Sequence, residues 1–367
     1  MKIYINESTD PYYNLAAEEY LLCHTSGDIF FLWRNSPTVV IGKNQNAFAE
    51  IDTRFTKEHN IAVVRRLTGG GAVFHDLGNV NFTFISPAGG ELAEGIREGG
   101  LDFGHFTRPI IDALNSLGIK ASLTGRNDIA IEVDGENHNC ESRKISGNAQ
   151  CVYNVKNCDG RNNNTGNDNS QNGLTKTLHH GTLLFSADFS NMQGALRVSP
   201  DKLKSKGIKS VRSRVANIAS VLPECRRAEI SDAEKFMKYI AGYVSNIYGV
   251  PVERFDESFN AGIEKLAAEK YSTDEWNFRR MGSFDTERRR RFSFGSVELR
   301  MSVTEGRIAA LEFGGDFFGI RDVGELASRL CGVEYSPDII AAALNTVDVG
   351  EYIGGASRED IMGLIFG

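Results

Sequence analysis

The spacing of strand-like segments is the feature that most constrains the fold of this chain. Four apolar segments rich in β-branched or aromatic residues fall within the first 86 residues: "IFFLW" (29–33), "TVVIG" (38–42), "IAVVRR" (61–66) and "VNFTFIS" (80–86). Along the whole chain such segments outnumber the helices between them, and hairpin signals recur. The sequence therefore predicts an α+β fold, with mixed or antiparallel sheets and helices packed on them, rather than a doubly wound parallel sheet.

The chain is long enough for two domains. Its 367 residues exceed the size at which a single hydrophobic core usually stops growing. A helical pattern over 232–249 is broken near 250–260, and a hairpin pattern and two short helical patterns follow. We therefore predict a large domain over residues 1–252 and a small α+β domain over residues 260–367.

One segment differs from the rest of the chain in composition. Residues 154–176 consist almost entirely of Asn, Gly, Asp and Ser and stand between two strand-like segments. Because such a segment has little apolar area to bury, it predicts a disordered surface insertion.

Charge and composition limit the possible partners and the compartment. The formal net charge of -7 argues against a general nucleic-acid binder. The N-terminus lacks the apolar segment of a secretory signal, and no apolar run reaches membrane-spanning length. The six cysteines are scattered without a C-x-x-C pair, which favours reduced thiols over a zinc or redox motif. We predict a cytoplasmic protein with no nucleic-acid or membrane partner.

The segment "RRLTGGGAVFHD" (65–76) combines three consecutive glycines with two arginines. Glycine has no Cβ and adopts positive φ readily, so the backbone N–H groups of such a loop can approach an anion closely. Arg65 and Arg66 can offer forked donors to phosphate or carboxylate. The segment lacks the Gly-Lys-Ser/Thr of a P-loop and, at Phe74, the last glycine of G-x-G-x-x-G. A loop that binds nothing is the alternative, but the flanking charged residues favour a nucleotide or phosphate site.

Three further segments carry groups suited to chemistry. In "GRNDIAIE", Asp128 can hold Mg²⁺ beside phosphates, although Asn-Asp is also common in turns. In "RKISGNAQ", Lys144 and Ser146 alternate on a predicted strand and so share a face. The lysine can hold a phosphate or an acyl carboxylate, and a surface lysine is the alternative. In "HHGTLL", the two histidines lack the spacing of a metal site, so structural or substrate-lining roles are favoured.

Among the cysteines, Cys151 is the candidate nucleophile. It lies seven residues after Lys144, and an odd offset on a regular strand points two side chains to opposite faces of the sheet. Reactive cysteines need a special environment, so we interpret Cys151 as an ordinary thiol.

Taken together and in this order, the glycine segment, "GRNDI", "RKISGNAQ" and "HHGTLL" resemble the motifs of the lipoate–protein ligase A family. The resemblance also covers "DPYYNLAAEEYLL", "FLWRNSPTVVIGKNQN" and "KGIKSVRSRVANI", and extends weakly into "FSFGSVELRMSVTEGRI". It implies a large domain similar to class II biotin synthetases, followed by an accessory C-terminal domain. The Asn-rich insertion has no counterpart in this resemblance.

The resemblance implies a reaction in two steps. Lipoate and ATP with Mg²⁺ give lipoyl-adenylate and pyrophosphate, and an acceptor lysine then attacks the adenylate to form an amide. The acceptors implied are the lipoyl domains of 2-oxoacid dehydrogenase E2 subunits and the glycine-cleavage H protein.

The resemblance also implies roles for individual residues. Lys144 matches the family lysine that contacts both the lipoyl carboxyl and the α-phosphate of ATP, and Asp128 is the candidate for Mg²⁺. The residues expected at ATP are Arg66, Gly71, Ala72, Val73 and Phe74, together with Lys144. Those expected along the lipoyl tunnel are Trp33, Arg34, Gly70, His75 and His180, again with Lys144. The chain departs from the family at Leu67-Thr68, where a Ser-Ser pair is usual.

Three other functions are compatible with parts of the sequence. An octanoyl- or lipoyl-transferase of the same fold passes the acyl group through a cysteine without ATP, but the intact glycine segment and the second domain favour the ligase. A biotin ligase usually carries a Gly-Arg-Gly-Arg loop, which this chain lacks. A catalytically silent lipoate- or nucleotide-binding protein is disfavoured because Lys144 is retained.

Overall fold

The structure of the protein is a computed structural model that describes residues 1–93, 100–134, 140–155, 175–197, 214–278 and 284–367. Most of the predicted insertion, residues 156–174, and the family-like segment before residue 214 lie outside the described residues. The strands of the described part are β1 (Lys2–Ile5), β2 (Ile29–Trp33), β3 (Thr38–Ile41), β4 (Ala62–Arg65), β5 (Val73–His75), β6 (Asn79–Pro87), β7 (Ala121–Thr124), β8 (Asp128–Asp134), β9 (Cys140–Asn154), β10 (Thr175–Leu184), β11 (Val252–Arg254), β12 (Thr286–Phe292), β13 (Gly295–Thr304) and β14 (Arg307–Gly315).

The helices of the described part are mostly short. They are α1 (Pro11–His24), α2 (Ala47–Glu50), α3 (Thr53–Glu58), α4 (Phe103–Ser116), α5 (Phe189–Ala195), α6 (Glu224–Arg227), α7 (Ala233–Tyr248), α8 (Asn260–Leu266), α9 (Asp274–Phe278), α10 (Val323–Leu330), α11 (Pro337–Leu344), α12 (Val349–Tyr352) and α13 (Arg358–Phe366). Helix α1 has the residues typical of a helix start: the Asp10 side chain accepts hydrogen bonds from the N–H groups of Tyr12 and Tyr13, and Pro11 occupies the first turn.

A large mixed sheet forms the centre of the first domain. Its strand order is β11-β1-β2-β6-β10-β9-β8-β7. Strand β1 runs parallel to both β11 and β2, whereas the pairs from β2 to β7 are antiparallel. A second, smaller sheet has the order β4-β3-β5, with β3 parallel to β4 and antiparallel to β5. The prediction of an α+β fold with mixed sheets is therefore confirmed.

The two faces of the large sheet are covered differently. On one face, Phe30, Phe82 and Phe84 pack with the apolar sides of α4 and α7. On the other face, Phe31 and Trp33 pack with α1 and with residues of the small sheet. Successive side chains of a strand point to opposite faces, so each strand contributes to both layers. The layer between the two sheets holds the candidate site.

The C-terminal domain has its own sheet and core. Strands β12, β13 and β14 form a three-stranded antiparallel sheet against which α10 to α13 pack. The predicted hairpin turns at Glu305 and Gly306, both with positive φ. Ile263 and Tyr271 pack in the core beside α1, whereas the buried C-terminal core begins at Val297. The domain limits of 1–252 and 260–367 stay a prediction, and this packing favours a boundary after residue 278.

Three features of the described part go beyond the sequence prediction or differ from it. Strand β5 lies inside the glycine segment, and β11 extends the large sheet at the point where the sequence pattern breaks. No described helix is long and apolar enough to cross a membrane. Cys151, Cys225 and Cys331 are free thiols, but Cys23 is disulfide-bonded, so the expectation of reduced thiols is wrong at that position.

Candidate active site

A cavity of about 140 Å³ lies between the two sheets of the large domain. Its walls come from the large sheet, the small sheet, helix α1, the glycine segment and the C-terminal domain. The lining residues are Leu15, Trp33, Val40, Arg66, Gly70, Gly71, Ala72, Val73, His75, Asn81, Asn127, Lys144, Gly147, Asn148, Ala149, His180, Gly181, Thr182 and Phe318. The cavity thus brings together residues from segments that are far apart in the sequence.

Strand alternation explains which side chains reach the cavity. Trp33 on β2 pairs with Asn81 on β6, which pairs with Thr182 on β10, so all three point to the same face. On the small sheet, Val73 and His75 face the cavity, whereas the side chain of Phe74 between them packs into a separate apolar cluster. Any contact of Phe74 with ATP is therefore limited to its backbone.

A β-bulge on β9 sets the position of Lys144. Ile129 pairs with Ser146 and Ala130 pairs with Lys144, which leaves Ile145 as an extra residue. The extra residue changes the alternation, so Lys144 lines the cavity together with Gly147, whereas Ser146 is fully buried and does not line it. The sequence prediction that Lys144 and Ser146 share a face fails because of this bulge.

The same bulge brings Cys151 to the side of the sheet that carries Lys144. The thiol packs against the apolar cluster beside α1, and Cys151 pairs with Leu178 of that cluster. The predicted opposite orientation is therefore wrong. Burial raises the pKa of the Cys151 thiol to about 12, so the thiolate form is disfavoured at neutral pH.

The mouth of the cavity carries an ion pair. The Nζ atom of Lys144 lies 2.7 Å from Oδ1 of Asp128, and both side chains are partly exposed. The backbone of Lys144 is held by hydrogen bonds with Arg214 and Ala216. A Cβ at Gly147 would lie 3.3 Å from the Lys144 Nζ atom, so glycine leaves room for the ammonium group. A fixed positive charge therefore stands at the open end of the cavity.

The glycine segment is held close to other backbone. Gly70 has φ of +88°, and a Cβ there would lie 2.9 Å from the Phe318 ring. A Cβ at Gly42 would lie 2.0 Å from the Gly70 carbonyl oxygen, so these two backbone segments can pass this closely only because residue 42 is glycine. By contrast, a Cβ at Gly71 would meet nothing within 4 Å. The segment is thus packed on one side and open at Gly71.

The two adjacent arginines have different surroundings. The Arg65 guanidinium is buried and donates to five backbone carbonyl oxygens, those of Gly42, Lys43, Gln45, Trp276 and Asn277. The Arg66 guanidinium lines the cavity, and its Nη2 atom donates to the carbonyl oxygens of Gly69 and Gly71 at 2.6 and 2.9 Å. Burial lowers the pKa of Arg66 to about 10, which leaves it charged at neutral pH. Arg65 therefore has a structural role, and Arg66 supports the glycine segment.

A polar chain connects Arg66 with helix α1. Arg66 Nε donates to Thr68 Oγ1 at 3.0 Å, and Thr68 Oγ1 lies 2.7 Å from Nε2 of His180. The other nitrogen of His180, Nδ1, lies 2.8 Å from Oε1 of Glu18, which also accepts from Thr83. Because Thr68 already accepts from Arg66, its hydroxyl proton is available for His180. These hydrogen bonds fix the ring of His180 at the cavity wall.

The inner end of the cavity is buried and is lined by aromatic rings. The Trp33 and His75 rings meet edge to face, with their centroids 5.9 Å apart. Burial, together with the nearby charge of Arg66, lowers the pKa of His75 to about 3, so this ring is neutral at physiological pH. This end of the cavity therefore suits a neutral, largely apolar group.

Arg34 is the predicted tunnel residue that the structure places elsewhere. Its Nη1 atom donates to the carbonyl oxygen of Leu77, and its Nη2 atom lies 3.7 Å from a carboxylate oxygen of Glu234. Arg34 follows β2 directly, and its side chain points away from the face that carries Trp33.

Several residues of the cavity wall were missed by the sequence analysis. Asn81 and Gly147 can be recognised as cavity residues only when the register of the sheet is known. Phe318 belongs to the C-terminal domain, which the sequence does not connect with the cavity. The Arg126 guanidinium lies 4.5 Å from the centre of the Phe318 ring, which ties the "GRND" turn to that domain. The "GRND" and "SGNA" motifs also bind each other, since Asn127 Nδ2 donates to the Asn148 carbonyl oxygen at 2.6 Å.

No group of three or more His, Cys, Asp or Glu side chains among the described residues gathers in a way that could hold a metal ion. Asp128 is the carboxylate beside Lys144 at the mouth. Mg²⁺ is commonly held by one or two carboxylates together with substrate phosphates, and Asp128 fits that pattern better than a site made of protein alone.

Two family models match the chain. The lipoyl protein ligase A/B catalytic domain matches residues 10–243, and the bacterial lipoate protein ligase C-terminus matches residues 282–365. A lipoate-protein ligase of Bacillus subtilis, LplJ, is 38% identical over 362 residues, which cover 97% of this chain and 97% of that protein.

Solved structures share the fold at lower identity. Plasmodium falciparum LipL1, solved in complex with lipoate, is 22% identical, covers 99% of this chain and 97% of its own, and has a TM-score of 0.70. A bi-partite lipoate protein ligase of Thermoplasma acidophilum, solved with its E2 lipoyl domain, is 23% identical with a TM-score of 0.56. That similarity covers 78% of this chain and 98% of the archaeal chain.

Proposed function

The chain belongs to the lipoyl protein ligase A/B family, and on that premise we propose that it attaches lipoate to acceptor proteins at the cavity between its two sheets. The predictions of this family and of an ATP-dependent lipoate–protein ligase are confirmed by the family matches and the full-length relative. One observation supports the location of the site. The Lys144 ammonium stands at the mouth of a cavity whose inner end is neutral and buried.

The proposed reaction has two balanced steps. In the first, the lipoate carboxylate attacks the α-phosphorus of ATP, and pyrophosphate leaves. In the second, the amine of an acceptor lysine attacks the carbonyl carbon of lipoyl-adenylate, loses a proton and releases AMP, so that an amide forms. The mixed anhydride is itself the activated acyl group, so no acyl group needs to be carried by the enzyme.

Lys144 is the proposed catalytic residue. In the proposed reaction, the negatively charged carboxylate and α-phosphate come together at the mouth. The Lys144 ammonium group lies there, paired with Asp128 and given room by the missing side chain of Gly147. A positive charge held there before the reaction stabilises the crowded anionic transition state. Its partial exposure leaves room for ATP and for an incoming acceptor lysine.

The glycine segment is the proposed wall of the ATP site. Gly71, Ala72 and Val73 line the cavity, and the open side of Gly71 lets a phosphate approach the backbone. Arg66 holds this segment in shape through the carbonyl oxygens of Gly69 and Gly71. We propose that Arg66 contributes its charge to ATP from this braced position and that Phe74 contributes through its backbone.

Asp128 is the proposed protein ligand for Mg²⁺. Bound Mg²⁺ would neutralise phosphate charge and orient the triphosphate. Asp128 accepts from Lys144, so the same carboxylate also orients the lysine.

The proposed acceptors are lipoyl domains of 2-oxoacid dehydrogenase E2 subunits and the glycine-cleavage H protein. Support comes from the archaeal relative of the same fold that was solved with its E2 lipoyl domain. The predicted cytoplasmic location and the absence of nucleic-acid and membrane partners remain predictions.

The test of this function uses the full chain. Protein incubated with lipoate, ATP and Mg²⁺ is expected to release pyrophosphate only when lipoate is present. Added apo lipoyl domain is expected to gain the mass of a lipoyl group on its lysine. Absence of lipoate-dependent pyrophosphate release by well-folded protein would contradict the proposal.

The Cys151→Ala variant separates the ligase from a transferase of the same fold. Because the pKa of the thiol is raised to about 12, Cys151 is a poor nucleophile, and the variant is expected to transfer lipoate at close to the normal rate. Cys225→Ala is the matched control, since Cys225 is an exposed thiol outside the cavity. Loss of transfer with adenylation intact in Cys151→Ala alone would support the transferase instead.

A further inference from the structure

Two side chains at the inner end of the acyl cavity carry polar atoms without a protein partner. Nε2 of His75 and Nδ2 of Asn81 are buried and make no hydrogen bond with any described residue. Both residues line the cavity, and they are only 4% and 1% exposed. Buried polar groups nearly always have a hydrogen-bond partner. Two that lack one at the same end of a cavity indicate a ligand with polar or polarisable atoms at that end.

The hydrogen-bond network around His75 determines which ring nitrogen carries the proton. Asn14 Nδ2 donates to the carbonyl oxygens of Ser8 and Arg34, which fixes the orientation of its amide. The same nitrogen also lies 2.9 Å from Oδ1 of Asn35, which shares one of its two protons, so the amide nitrogen of Asn35 faces His75.

That amide nitrogen lies 3.2 Å from Nδ1 of His75, which must therefore act as the acceptor. Since the ring is neutral, its proton is on Nε2. His75 thus presents an N–H donor to the cavity. His180 has the reverse arrangement: its Nδ1 faces the Glu18 carboxylate, and its Nε2 faces the Thr68 hydroxyl.

The sheet geometry places this donor opposite the far end of a bound acyl chain. Lys144 lies on β9 and Trp33 on β2, and the strand order between them is β9-β10-β6-β2. Three strand spacings amount to about 14 Å across the sheet. An acyl chain with its carboxyl at Lys144 therefore reaches its last carbons near Asn81 and Trp33, and His75 packs against Trp33.

We propose that His75 is a specificity-determining residue, which donates its Nε2 proton to a ring sulfur of the substrate and so favours a dithiolane over a plain alkyl end. This inference rests on the proposed lipoate chemistry and names what distinguishes lipoate from octanoate in this chain. The two sulfurs of a dithiolane form a disulfide and are weak acceptors, as a thioether sulfur is, but an alkyl end offers the buried donor no acceptor at all. A site with a buried donor discriminates against the analogue that leaves the donor unpaired.

The test compares three acids as substrates: lipoate, octanoate and 5-cyclopentylpentanoate, which keeps the ring and replaces both sulfurs by carbon. Their kcat/KM values for pyrophosphate release are measured in the wild type, His75→Phe and His75→Gln. Phenylalanine keeps a ring without a donor, and glutamine keeps an N–H donor near the position of Nε2. His59→Phe is the matched control, since the exposed His59 stacks on Phe55 and does not line the cavity.

The ratio of lipoate to each sulfur-free acid is expected to fall roughly twofold to fivefold in His75→Phe, the lower part of the range for a single hydrogen bond, because sulfur is a weak acceptor. The ratio should be largely restored in His75→Gln and unchanged in His59→Phe. An unchanged lipoate-to-cyclopentyl ratio in His75→Phe would overturn the proposal.

Failure of this proposal is distinguishable from failure of the proposed function. If the wild type activates none of the three acids, the proposed function fails. Calorimetric titration without ATP then still measures the ratio of the affinities for lipoate and for each sulfur-free acid. Equal affinity of the wild type for lipoate and the cyclopentyl acid in that experiment would also overturn the role of His75. The folding of each variant is checked by its unfolding midpoint.

Discussion

The mouth and the inner end of the acyl cavity differ in charge and in burial. At the mouth, the side chains of Lys144 and Asp128 are 41% and 33% exposed and form an ion pair. At the inner end, His75 is 4% exposed and neutral, beside a buried tryptophan. In the proposed function, charge is kept where phosphate and an acceptor lysine would enter, and neutral donors are kept where only the acyl group would reach. The proposal therefore separates chemistry from substrate selection along one cavity.

The largest expected effect is at the mouth. Lys144→Ala should lower kcat for lipoate-dependent pyrophosphate release by about 10²–10³-fold, the usual loss when one preorganised charge-stabilising group is removed. The acyl selectivity set at the inner end should persist in the residual activity. Rates with lipoate and octanoate are measured by a coupled pyrophosphate assay.

Lys238→Ala is the matched control for this variant. Lys238 is an exposed helical lysine whose partner is Glu234, and it does not line the cavity. A near-normal rate in Lys144→Ala, or an equal loss in Lys238→Ala, would break the assignment of the mouth as the catalytic end.

An intermediate effect is expected in the glycine segment, which joins the two ends. Gly70→Ala places a Cβ against Phe318 at a φ of +88°, so it should lower the free energy of unfolding by about 1–3 kcal/mol and raise KM for ATP. Gly71→Ala has open space and should change stability by less than about 0.5 kcal/mol. Urea unfolding of both variants tests this prediction. Equal destabilisation by the two alanines would contradict the packing described for Gly70.

The effect that is smallest at neutral pH is a pH dependence of stability from the inner end, which grows as the pH falls. The pKa of His75 is lowered from 6.5 to about 3, so between these values the unfolded chain binds a proton that the native ring does not. The free energy of unfolding therefore falls as pH drops below about 6.5, by at most about 1.4 kcal/mol per pH unit for this group. His75→Gln should show a shallower loss between pH 6 and pH 4, in roughly this proportion. Parallel stability curves for the wild type and His75→Gln would show that the ring is not buried as a neutral group.

The sequence predicted the parts of the site that local patterns encode. The strands on either side of the glycine segment and the family motifs both follow from local residue choice. The sequence could not separate Arg65 from Arg66, because the two differ only in which face of the sheet each side chain enters. The five carbonyl oxygens around Arg65 belong to residues at least twenty positions away in the sequence, and no local pattern records them.

Two further differences arose from geometry that has no local signal. The extra residue at Ile145 shifts the alternation of β9 and brings Cys151 to the face of Lys144. The donor on His75 depends on an amide chain through Asn14 and Asn35, which the tertiary structure alone brings together. Strand alternation can be read from a sequence only where the strand is regular.

The most direct test of the account is the form in which the activated acyl group is held. Full-length protein is incubated with lipoate, ATP and Mg²⁺ without an acceptor and is then analysed by mass spectrometry under native and denaturing conditions. The account predicts lipoyl-adenylate bound non-covalently to the native protein, strongly reduced in Lys144→Ala, and an unmodified protein mass after denaturation. A lipoyl group that remains covalently attached to the denatured chain, without bound adenylate, would contradict it.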